Sequence, residues 1–204
     1  MSSDVPEDAD LRRRKPAPAG QDGRLERSRV TRDRIIQAVL ELIWSGHLNP
    51  TSDDVARHAG VGHRTVFRHF QDMESLFAEM NSRVRAMALS ALAEPRSEGP
   101  VAQRLEALIR ARAAMFEQIT AYYLSGEIRL HGSPTLQRAR AQFAAEQRRQ
   151  LLDVLPEVAA RPDVTAAIEL VTSMDGWLRL RRAQGLSVDE SRHAIFAAVT
   201  RLLS

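Results

Sequence analysis

The chain has 204 residues, a formal net charge of +3, 44% hydrophobic and 27% charged residues, and no cysteine. This balance suits a soluble folded protein and excludes a disordered one. The lack of thiols excludes disulfide scaffolds, zinc fingers and thiol nucleophiles; with no apolar leader and no run of bilayer length, the expected location is the cytoplasm.

Residues 1–30 read as a flexible arm of mixed charge, punctuated by Pro6, Pro16, Pro18, Gly20 and Gly23. It holds the basic run Arg12–Lys15, and Lys15 is the one lysine of the chain. Arg24, Arg27 and Arg29 lie nearest the fold and are candidates for contact with DNA phosphates. A first helix opens at Thr31, its expected N-cap, and carries Ile35, Ile36, Val39, Leu40 and Ile43 at helical spacing to about Gly46. Asn49-Pro50 breaks the chain. Thr51 and Asp54 then stand at capping-box spacing for a second, short helix that Ala59-Gly60 ends. A third short helix is expected over His63–His69, and a fourth from Asp72 through Leu76, Phe77, Met80, Val84, Met87 and Leu92 to about Pro95.

Glu94 to Pro100 reads as a loop, and Pro100 opens a fifth helix through Leu105, Leu108, Ile109, Met115, Phe116, Ile119, Tyr122 and Tyr123. Gly126 to Gly132 reads as a short, weak segment. Ser133-Pro134 starts a longer helix stopped by Pro156. Another is expected from Pro162 to about Gln184, and the last, over Val188–Leu203, has its capping box at Ser187 and Glu190. No alternating β pattern is present, so the expected fold is all-α with about nine helices.

Residues 51–70 carry the functional signal. Ala56 is small where two helices would cross, and Gly60 supplies the conformational freedom of a tight turn. With Val55, Ala59, Val61 and Val66 turned inward, His63, Arg64, Phe67 and Arg68 are left to the outer side. Gly60–Phe70 contains two Arg, two His and no acid, whereas residues 31–80 hold five basic and seven acidic residues. Positive charge is thus concentrated where a recognition helix would meet DNA.

From Thr31 to about Met80 the chain resembles the TetR family of bacterial repressors: an opening helix, then Thr-x-x-Asp-Val-Ala, Ala-Gly-Val, Thr-Val-Phe-Arg-His-Phe and Glu-Ser-Leu-Phe. The resemblance implies a three-helix DNA-binding domain over residues 31–78, and an effector-binding and dimerisation domain over residues 79–204. It implies that Thr51 bonds a phosphate through its hydroxyl and a backbone N–H, and that His63, Arg64 and Thr65 face base edges. Arg64 is the candidate for bidentate reading of guanine. Phe67 would pack on a sugar or a thymine methyl, or in the core; Arg68 shares the outer face; and His69 would contact backbone phosphate, more favourably when protonated, or pack between the third and fourth helices. Three departures weaken these contacts. Phe67 stands where the family usually has Tyr, Met73 replaces the common Lys, and Gly62 lacks the usual capping Ser.

The resemblance further implies a homodimer formed through the last two helices, with Ala166, Ala167, Gly176, Ala194, Ala197 and Ala198 permitting close approach. A small-molecule effector would bind among the middle helices, where Met87, Met115, Phe116, Ile119, Tyr122, Tyr123, Phe143, Met174 and Trp177 are candidate contacts. No charged cluster stands out as an anchor, which favours an apolar or aromatic effector. The expected function is ligand-responsive repression at a palindromic operator on double-stranded DNA, without cofactor, metal or membrane. An activator of the same fold and an all-α interaction module without specific DNA binding are the competing readings. No phosphate loop, nucleophile elbow or His-Glu-x-x-His motif suggests an enzyme.

Overall fold

The computed structural model describes residues 19–91 and 98–204, and the described residues form nine α-helices with no strand. The helices are α1 (Ala19–Trp44), α2 (Ser52–Ala59), α3 (His63–His69), α4 (Met73–Ala91), α5 (Val101–Leu130), α6 (Pro134–Val154), α7 (Pro162–Val171), α8 (Met174–Leu178) and α9 (Val188–Leu203). None of the described helices is long and apolar enough to cross a membrane.

The core starts from the apolar stripe of α1. Ile35, Ile36, Val39 and Ile43 are fully buried against Val55 and Ala59 of α2, Val66 of α3, and Leu76 and Met80 of α4. These contacts make α1–α3 with the start of α4 one packed unit. Helix α5 runs through the rest of the molecule and packs on α1, α4, α6, α8 and α9. Its inner stripe of Leu105, Leu108, Met115 and Phe116 is closed to solvent. Two buried arginines tie this framework together. Arg104 reaches the Val154 carbonyl and Glu157, while Arg112 bonds only neutral acceptors, on Gln147, Gln150 and Thr172. With no carboxylate bonded to it, burial lowers the Arg112 guanidinium well below its usual value, to about 10.

Three boundaries differ from the sequence reading. Helix α1 starts at Ala19, not Thr31, so residues 19–30 of the expected arm are helical, while residues 1–18 lie outside the described part. Thr31 is no N-cap: its hydroxyl donates back to the Arg27 carbonyl at 2.9 Å, one turn earlier. Once the buried half of α1 exists, adding residues at its end needs no new nucleus, and Gly20 and Gly23 do not prevent it. Likewise α5 continues through Gly126 to Leu130, because its buried stripe extends through Ile119, Tyr122 and Ser125. The expected Leu92 and the loop from Glu94 fall largely in residues 92–97, outside the described part.

The helix expected over 162–184 is divided. Helix α7 stops at Val171, where the Thr172 hydroxyl folds back onto Ile168 and Arg112 grips the Thr172 carbonyl and hydroxyl. Ser173 then caps α8 by accepting from the Gly176 N–H at 3.0 Å. Gly176 works within its own chain here: a Cβ would lie 2.7 Å from the Leu170 carbonyl oxygen and 2.8 Å from that of Val171. A π-turn over Arg179–Ala183 leads to Gly185, which has positive φ, and α9 begins with the expected box, Ser187 N–H to Glu190 at 2.8 Å.

Candidate nucleic-acid interface and effector cavity

Local chemistry builds the helix-turn-helix. At the start of α2, the Thr51 hydroxyl accepts from the Asp54 N–H at 3.2 Å and donates to the Asp54 carboxylate at 2.6 Å. The Thr51 N–H also donates to that carboxylate, at 3.0 Å. These bonds from Thr51 hold Asp54 below its usual carboxylate range. Both Thr51 groups expected at a phosphate are therefore engaged in capping. At the other end Gly60 has φ 62° and ψ 39°, the left-handed conformation that turns the chain, and Val61 N–H closes onto the Ala56 carbonyl at 3.0 Å.

Helix α3 then presents two distinct faces. Val66 and the following Phe70 are buried, whereas His63, Arg64, Phe67 and Arg68 are exposed, and Thr65 and His69 are half-buried. Arg64 and Arg68 stand one turn apart with no carboxylate paired to either among the described residues. His63 leans on Phe67 with ring centroids 4.9 Å apart, and its Nε2 lies 3.0 Å from the Ser52 hydroxyl. Gly62 provides no side-chain cap, leaving the α3 amino end open. His58, across the turn, is bonded to Glu41 at 2.8 Å.

His69 does not suit a cationic phosphate clamp. Burial, then the charges of Arg68 and Arg32, hold its imidazole below the usual 6.5, so it is neutral at pH 7. Its carbonyl instead accepts from Arg32, a residue that sequence reasoning missed. Arg32 also pairs with Glu79 of α4 and lies 4.2 Å over the Phe70 ring. One guanidinium thus joins α1, the end of α3 and α4. Its partners are 37 and 47 residues away, and no local pattern marks them.

A cavity of about 340 Å³ opens between α4, α5 and α6. Of the residues expected there, Ile119, Tyr122, Tyr123 and Phe143 line it. Met115, Phe116, Met174 and Trp177 do not: they are buried core, and the Trp177 indole N–H is satisfied by Glu117 at 2.8 Å. Met87 faces solvent on α4. The walls add Val84, Arg85, Ala88, Leu136, Arg138 and Arg140, none of which the sequence reading included. Asn81, Val84, Arg85 and Ala88 recur at one-turn spacing, a stripe that could have revealed the α4 wall. The Tyr123 hydroxyl donates to Asp175 at 2.8 Å, and the Tyr122 ring lies 6.1 Å from Trp44 of α1. The cavity therefore touches both the α4 and α1 routes to the helix-turn-helix.

A tight helix-turn-helix with a free basic face, set on a helical body, defines the class: an all-α DNA-binding regulator. Residues 35–80 match the sequence model of the bacterial regulatory proteins of the tetR family. Among solved structures it is similar to a transcriptional regulator from Rhodococcus sp. Rha1, at 20% identity and a TM-score of 0.67, over 84% of this chain and 95% of that one. It is also similar to a protein from Rhodococcus sp. assigned to the TetR-family transcriptional regulators, at 17% identity and a TM-score of 0.65, over 85% and 99% of the two chains. No curated protein matches the sequence.

Proposed function

We propose that this protein is a repressor that binds a palindromic operator as a homodimer and leaves it when a small molecule fills the cavity between α4, α5 and α6. The observation that carries this reading is the outward face of α3, where Arg64 and Arg68 are exposed beside Phe67 and His63 and have no ion pair among the described residues. Arg64 reads a guanine edge, Arg68 and Thr65 contribute on the same face, and Phe67 packs against a sugar or a thymine methyl. With Thr51 engaged in its own cap, the missing phosphate contacts are supplied by Arg24, Arg27 and Arg29. These are exposed on α1, where Arg24 stands about 12 Å along the helix from Arg32 at 1.5 Å per residue.

Dimerisation through α7 and α9 is supported by Leu170, which is 67% exposed on α7, and by the half-buried Phe196, Leu202 and Leu203 on α9. Ligand release works through two arrangements of α4, the helix that carries both cavity wall and Glu79, the partner of Arg32. The decisive experiment is selection of bound duplexes from a random pool by the full chain. A two-fold symmetric site with half-sites about one helical turn apart is expected; enrichment of no sequence at all would overturn the reading.

A further inference from the structure

The cavity lining contains three arginines, Arg85, Arg138 and Arg140, and no aspartate or glutamate. Two of them are held from behind by carboxylates outside the lining, Arg85 by Glu146 and Arg140 by Glu127. Arg138 is exposed and forms no ion pair among the described residues. Arg140 is the distinctive one. Its guanidinium lies 3.3 Å over the Tyr123 ring, one arm goes to Glu127, and the other, Nη1, is buried with no hydrogen-bond partner among the described residues. Burial lowers this guanidinium well below its usual value, to about 10. A half-satisfied buried cation is costly, and an acceptor brought by a ligand would relieve it. The remaining wall of Val84, Ala88, Ile119, Leu136 and Phe143 is apolar and would hold a hydrocarbon body.

The walls also argue against the other head-group charges. An organic cation would meet three guanidinium groups, only two of them ion-paired, and no carboxylate in the lining, and a Tyr123 face that could have received it is occupied by Arg140. A neutral effector would give Nη1 an acceptor but no countercharge, and the bond would lack charge assistance from the acceptor. We infer that the effector is an amphipathic organic anion, a carboxylate on an aromatic or aliphatic body, anchored by Arg140 with Arg138 at the mouth. This rests on the proposed reading of the cavity as the effector site. With Nη2 engaged by Glu127, the remaining Nη1 arm donates to a carboxylate oxygen in a charge-assisted bond, which gives the anchor its direction as well as its charge.

The test is calorimetric titration of the full chain with two matched series: decanoate, decan-1-ol and decylammonium, and 4-phenylbutyrate with its alcohol and its amine. In at least one series the carboxylate should bind tightest. Arg140→Gln should weaken it about tenfold or more while changing the alcohol less than about twofold. Arg138→Gln, at an exposed site where the fold is not at stake, should weaken the carboxylate alone by a smaller factor. In both series an alcohol or amine that binds as tightly as its carboxylate, or carboxylate affinity unchanged by both substitutions, overturns the anionic anchor and leaves the effector cavity standing. If no member of either series binds, or if all bind equally well after Ala139→Trp fills the cavity, the anchor and the effector cavity both fail.

Discussion

Replacing Gly176 by alanine sets two effects against each other at the α7–α8 corner. Helix propensity alone favours alanine by about 0.8–1 kcal/mol, which would make Gly176→Ala stabilising. The packing opposes it. The new Cβ would stand 2.7 Å from the Leu170 oxygen, 2.8 Å from the Val171 oxygen and 3.2 Å from the Val171 carbonyl carbon. A comfortable carbon–oxygen contact is about 3.3 Å or more, so the shortfall is roughly 0.5 Å against two atoms. Both are backbone oxygens, so no rotamer change relieves them, and α8 itself must shift. Overpacking of this kind costs about 1–3 kcal/mol, and two backbone contacts place it near 3. Subtracting the propensity gain leaves a net loss of about 2 kcal/mol. For a chain of this size that lowers Tm by about 4–8 °C. The assay is a calorimetric or circular-dichroism melt of wild type and variant at one fixed protein concentration, since association would otherwise move Tm. Gly62→Ala is the control, because a Cβ there meets only the Thr65 hydroxyl oxygen at 3.8 Å. A Tm for Gly176→Ala equal to or above wild type would refute the reasoning and give the decision to propensity.

Arg64→Ala and Arg68→Ala should leave Tm within about 1 °C of wild type, since neither guanidinium supports the fold. In gel-shift titrations Arg64→Ala should weaken operator binding by about 1–3 kcal/mol per half-site and relax one base position. A normal Tm with undiminished DNA affinity would remove α3 from the interface. Thr51→Val removes both the acceptor and the donor of the α2 box and should cost about 1 kcal/mol, with Thr51→Ser restoring it in the same melts. For His69 the folded protein holds the imidazole pKa below 6.5, so the unfolded chain binds the proton first. Its contribution to stability is intact above pH 6.5 and is lost as pH falls through 6.5 towards the lower folded value. His69→Gln should therefore lose less Tm than wild type between pH 7.5 and 5, and an identical slope for the two would place the acid sensitivity elsewhere.

Much of the DNA-binding unit was legible because its determinants are near neighbours in the chain. The Thr51–Asp54 box, the Gly60 turn and the Ser187–Glu190 box each act across three or four residues, and each forms as expected. The inward and outward positions of α3 follow from helical spacing, so Val66 is buried and Arg64 exposed. The cavity was less legible. Apolar residues on α5 repeat around much of the helix, and spacing alone does not tell Ile119, which lines the space, from Met115 and Phe116, which are core. The aromatic handle on Trp177 was a poor guide too, because Glu117 already satisfies it.

The amino-acid order by itself determined most of the helices, the caps at Thr51 and Ser187 and the basic face that follows the turn, since hydrogen bonds and side-chain contacts within one helical turn decide those. Tertiary structure decided the rest. It brought Arg32 to Glu79 across 47 residues, stopped α7 where Arg112 meets Thr172 across 60, and gathered Arg85 of α4 with Arg138 and Arg140 of α6 around one apolar space. An arginine on an amphipathic helix has the same local signature whether it faces water, a carboxylate or a cavity, and only the packing of neighbouring helices distinguishes the three.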